Sequence, residues 1–63
     1  MLLREIEAFC AYWEMTPGAF GRAAVNDPGF VPRLRSGKNI TVRTLDRANV
    51  YLRAERAKRD AAA

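Results

Sequence analysis

Arg33, Arg35, Lys38, Arg43 and Arg47 crowd one stretch of chain in which Asp46 is the only acid, and cationic groups at that density suit a polyanionic partner. Residues 1–21 hold Arg4 against Glu5, Glu7 and Glu14, whereas residues 22–59 hold ten of the eleven basic residues against Asp27, Asp46 and Glu55; the net charge is +4. Catalysis has fewer parts to work with. There is no histidine and one cysteine, Cys10, which excludes an internal disulfide, a zinc cluster and a Cys-His pair. No close nucleophile–base pair and no GxxxxGK[ST] phosphate cradle is present. The residues therefore suit binding rather than an enzyme, with no metal, cofactor or small-molecule ligand expected. Cys10, beside Phe9 on an apolar helix face, reads as a packing thiol.

The elements that must position these cations follow from capping and periodicity. Leu2 or Leu3, Ile6, Phe9/Cys10 and Trp13 recur at three- and four-residue steps, which predicts an amphipathic helix from residue 2 to about 14. Trp13 and Tyr12 read as core and core-edge packing. Thr16-Pro17 places a hydroxyl at an N-cap and a proline at the first helical position, and Asn26, which tolerates the left-handed conformation, closes that helix. Asp27-Pro28 repeats the start signal, Phe30 or Val31 and Leu34 supply an apolar face, and Gly37 supplies the stop. Thr41 opens a fourth helix with Val42, Leu45, Ala48/Asn49 and Leu52 in one stripe. Beyond Leu52 the segment 53–63 keeps helix formers but loses large apolar residues, which predicts an end that extends into solvent and frays. Whether Ala61–Ala63 is native stays open. Sixty-three residues make a single all-α domain with a modest core, and two short helices about a tight turn, near residues 16–36, form a helix-turn-helix.

Residues 16–45 resemble the lambda repressor/Cro-like helix-turn-helix domains of small bacterial and phage DNA-binding regulators. Gly21, after the bulky Phe20, matches the small residue that packs under the turn. Asp27 matches the cap of the second helix, Val31 and Leu34 its buried aliphatics, Gly37-Lys38 the exit glycine and its basic follower, and Thr41-Val42-Arg43-Thr44-Leu45 the start of the next helix. The resemblance implies a four-to-five-helix lambda repressor-like bundle. The chain departs from the pattern in three ways. Asn26 stands in for the turn glycine, Gly29 and Phe30 replace the polar residues that usually read bases, and Pro32 falls near the second turn of a helix starting between Asp27 and Gly29. Proline there bends the helix, or the helix starts later.

A helix-turn-helix lays its first helix across the phosphate backbone and its second, here about 28–36, into the major groove of double-stranded DNA. With Val31 and Leu34 inward, Gly29, Phe30, Arg33 and Ser36 form the outward, base-reading set. Arg33 leads it, because a guanidinium can bridge guanine O6 and N7. Phe30 meets either a thymine methyl or the core. Thr16 at a helix N-terminus, with Arg22, Arg35, Lys38, Asn39, Arg43 and Thr44, supplies phosphate contacts, which position the protein without specifying sequence. The expected role is transcription regulation, cytoplasmic and nucleoid-associated, since nothing resembles a signal peptide or a membrane span. Assembly is open, a homodimer on a two-fold operator being one form. The alternative is a helix-turn-helix turned protein-interaction module that binds a polymerase subunit or another regulator, for which Pro32 and the Gly29-Phe30 front speak.

Overall fold

The computed structural model describes residues 2–62, and in them four helices follow one another: α1 (Leu2–Tyr12), α2 (Pro17–Val25), α3 (Phe30–Arg35) and α4 (Val42–Ala62). No strand occurs among the described residues, so the all-helical expectation holds, with four helices. Ala63, the end of the alanine run, lies outside them.

α1 buries Ile6, Phe9 and Cys10, the face its periodicity assigns. It stops at Tyr12, slightly earlier than the apolar spacing implies. The reason lies in Glu14, whose φ of +53° turns the chain left-handed while Met15 N–H donates back to Cys10 C=O at 2.8 Å. That conformation disfavours a side chain such as glutamate.

α2 begins as its sequence requires. Thr16 Oγ1 accepts from Ala19 N–H at 3.1 Å, and Pro17 occupies the first turn, where its missing N–H has no intrahelical partner to lose. At the other end Asn26 is left-handed, φ +56° and ψ +38°, and its N–H donates to Arg22 C=O at 3.0 Å.

α3 starts later than the Asp27–Gly29 window. Gly29 is its N-cap and Phe30 its first residue, so the helix spans Phe30–Arg35 rather than about 28–36. Pro32 thus stands third in the helix. Its absent N–H falls among the first-turn donors that have no helical acceptor, and the ladder begins at the next residue, with Arg33 N–H donating to Gly29 C=O at 3.1 Å. Proline costs the helix nothing at that position, and no bend is needed. Gly37, at φ +78°, ends the helix: Gly37 N–H donates to Leu34 C=O and Lys38 N–H to Arg33 C=O, the paired bonds of a Schellman stop.

The core collects one face from each helix. Ile6, Phe20, Phe30, Val31 and Leu52 are its largest fully buried side chains. Phe20 sits edge-on to Phe9 and Tyr51, with ring centroids 6.0 and 5.4 Å away, and such pairs contribute about 0.5–1.5 kcal/mol each beyond burial. Cys10 lies inside this cluster as a free thiol. Burial, aided by the Glu7 charge, pushes its pKa up, which keeps it in the unreactive thiol form.

α4 stays helical to Ala62, with Asp60, Ala61 and Ala62 exposed to solvent. Arg59 lays its guanidinium carbon 5.5 Å from the Phe9 ring centroid and 5.3 Å from that of Trp13, and its Nε donates to Glu55 Oε1 at 3.1 Å. As far as Arg59, α4 is therefore tied to Phe9 of α1 and to the neighbouring Trp13 by a cation on two aromatic rings. No helix among the described residues is long and apolar enough to cross a membrane.

Candidate nucleic-acid interface

The turn between α2 and α3 sets the geometry of everything at this surface. Gly21 is buried, and a Cβ placed on it would lie 2.3 Å from the Asp27 carbonyl oxygen and 3.2 Å from Phe30 Cβ. No side chain fits there. The two helices can approach this closely because residue 21 has none, and Asp27 N–H donating to Gly21 C=O at 3.1 Å closes the contact.

Of the base-reading set, the structure leaves Arg33 and Ser36 at the surface. Phe30 is 0% exposed and belongs to the core, not to the outward face. Its spacing of four from Leu34 puts both on one helical stripe, and the empty place above Gly21 receives it. Gly29 offers only backbone. Ser36 turns its hydroxyl inward along the chain, donating to Arg33 C=O at 3.0 Å. Arg33 is exposed and paired through Nη2 with Asp27 Oδ2.

Asp27 itself differs from a helix N-cap. Its Oδ1 accepts from Gly29 N–H at 2.9 Å and its backbone carbonyl accepts from Phe30 N–H at 3.1 Å, so it closes the turn ahead of the helix. The Arg33 hydrogen bond, then the Gly29 amide, hold its carboxyl below the usual carboxylate range.

The phosphate-contact set divides in the same way. Thr16 and Arg22 come together with Gly18, Ala19, Ala23 and Pro28 around a groove of about 500 Å³ at the α2 N-terminus. Lys38 and Asn39 are exposed in the loop after α3. Thr41 caps α4, accepting from Thr44 N–H at 3.2 Å and donating its hydroxyl to Thr44 Oγ1 at 2.9 Å. The Thr44 hydroxyl is thereby engaged, whereas Arg43 beside it is exposed. Arg35 is engaged too: its Nε and Nη2 donate to Glu7 Oε2 at 3.1 and 3.0 Å, tying α3 to α1. Arg22, Lys38 and Arg43 have no ion-pair partner among the described residues.

Sequence reasoning missed both ion pairs of α3. The Asp27–Arg33 spacing of six residues crosses a turn, and Glu7 and Arg35 are 28 apart; neither fits a helical i,i+4 pattern. A hint was available in charge alone, since Asp27 is the only acid between Arg22 and Asp46.

Comparison of the chain with protein-family models, with curated proteins and with solved structures yields no match.

Proposed function

We propose that this chain is a lambda repressor/Cro-like helix-turn-helix protein that binds double-stranded DNA sequence-specifically and acts as a small transcriptional regulator. In this reading α2 crosses the phosphate backbone and α3 enters the major groove by its N-terminal half. The observation that carries it is the contact of Gly21 with the Asp27 carbonyl, where a side chain has no room. Close packing under the turn is what such a motif needs to fix its second helix against its first. The unpaired cations Arg22, Lys38 and Arg43, with the capped N-terminus of α2 at Thr16, then supply affinity for phosphate.

The features that spoke for a protein-interaction module have local explanations. Pro32 stands in the first turn of α3, and Phe30 fills the core.

Salt dependence tests the reading. Log affinity for duplex DNA should fall against log salt by about 0.9 per phosphate neutralised, so three unpaired cations give a slope of about −3 per copy, steeper by one if Arg35 leaves Glu7. Lys38→Ala or Arg43→Ala should lower the slope by about one and weaken all sequences alike. A flat response for the intact protein would refute DNA binding.

A further inference from the structure

Asp27, Gly29 and Arg33 make a unit at the front of α3 that affinity for phosphate does not explain. The Asp27 carboxylate is bound twice, by the Gly29 amide on Oδ1 and by the Arg33 guanidinium on Oδ2. Gly29 leaves room for that arrangement: a Cβ placed on it would lie 3.2 Å from Arg33 Nη1 and 3.4 Å from Asp27 Oδ1. The guanidinium is thus laid across the first turn of the helix rather than free in solvent. Arginine carries five N–H donors in a rigid fork, of which Asp27 takes one from Nη2, so Nε, Nη1 and the second Nη2 N–H keep theirs. A guanine edge needs two.

A carboxylate at this place is costly for a protein that binds phosphate, because it repels the backbone of every sequence equally. An unpaired Arg33 would bind DNA more strongly, but its long side chain could settle on any nearby phosphate. Pairing removes that freedom. We propose, resting on the DNA-binding reading above, that Asp27 is a positioning residue: it holds the Arg33 guanidinium over Gly29 so that its remaining donors meet a guanine edge. It thereby raises discrimination between bases while lowering affinity for DNA of any sequence.

Asp27→Asn isolates this role, since the amide oxygen can still accept from Gly29 N–H while the charge that holds Arg33 is gone. A preferred site is first selected from a random duplex library with the wild-type chain, and dissociation constants are then measured on that site and on random duplex. Asp27→Asn should bind random duplex about two- to fivefold tighter, the worth of one screened charge. Its preference for the selected site should fall by about fivefold or more, the low end of one bidentate base contact. Gly29→Ala, which displaces the guanidinium but keeps the charge, should lower the preference without the gain on random duplex. Asp27→Asn added to Arg33→Ala should cost no further preference. A folded Asp27→Asn variant, by circular dichroism, with unchanged preference overturns the positioning role alone, as does a further loss in the double variant. No salt-dependent duplex binding by the wild type overturns the DNA-binding reading and this inference with it.

Discussion

Two glycines three residues apart on α2 should respond to the same substitution with opposite signs. At Gly18 an added Cβ meets only Pro28 C=O at 3.8 Å, an ordinary contact, so Gly18→Ala should stabilise by about 0.4–1 kcal/mol through the reduced freedom of the unfolded chain. Gly21→Ala gains the same entropy but places its methyl 2.3 Å from the Asp27 carbonyl oxygen, a backbone atom that cannot swing away. Restoring a normal contact needs a shift of about 1 Å in a turn whose Asp27 carbonyl accepts from Phe30 N–H at 3.1 Å. Overpacking of this kind costs about 1–3 kcal/mol, and moving a turn that anchors the buried Phe30 and Val31 adds strain of about 1–3 kcal/mol. Set against the entropic gain, the net loss is about 1–5 kcal/mol. A chain of this length has about 3–9 kcal/mol of total stability, so the variant gives up a large share of it. Thermal melting followed at 222 nm should show Tm lower by about 5–40 °C for Gly21→Ala and higher by a few degrees for Gly18→Ala. Melting of Gly21→Ala within about 2 °C of the wild type would show that the α2–α3 contact is not fixed by the missing side chain.

Three further outcomes test the local accounts. Pro32→Ala should leave helicity unchanged and stability equal or lower by about 0.4–1 kcal/mol, because proline in the first turn blocks no bond and restricts the unfolded chain; a gain near 3 kcal/mol in urea titration would place Pro32 in a helix interior. Glu14→Gly should raise stability by about 1 kcal/mol, since it relieves the left-handed conformation at φ +53°; no change in Tm would mean that the chain relaxes out of that conformation in solution. Arg59→Ala should destabilise by about 1 kcal/mol and alter Trp13 fluorescence, through loss of its stacking on Phe9 and Trp13; unaltered Trp13 emission would mean that the end of α4 is free.

Features written in neighbouring residues were legible in the sequence. Thr16 and Thr41 cap their helices, Asn26 and Gly37 end theirs, and Ile6, Phe9 and Cys10 face the core, because each depends on a few bonds within one turn. The small residue under the α2–α3 turn was legible as well. The front of α3 was not. Moving its start to Phe30 changes which residues occupy the first turn, which turns Pro32 from an interruption into a tolerated residue. Phe30 and Val31 are then fully buried in the core, with Leu34 half-buried against it. The paired states of Arg33 and Arg35, and the hold of Arg59 on α1, depend on atoms brought together only by the tertiary fold.

Charge counted along the chain therefore overstates the cationic character of α3 itself. Of its two arginines, Arg35 is matched by Glu7 from α1 and Arg33 by Asp27 from the preceding turn. Among the phosphate-contact candidates, the uncompensated cations frame the helix from outside: Arg22 on α2, Lys38 in the loop after α3, and Arg43 at the start of α4. In a DNA complex this division would assign affinity to the frame and discrimination to the helix, since unpaired cations respond to phosphate and a constrained guanidinium responds to a base edge. The two functions should then separate in mutants. Lys38→Ala should lower the salt slope by about one and leave base preference intact, whereas Asp27→Asn should lower base preference and, by freeing Arg33 for phosphate, steepen the slope by up to about one. If Lys38→Ala lowered base preference as much as Asp27→Asn, α3 and its flanks would be one undivided electrostatic surface, and the pairing of Arg33 would have no part in specificity.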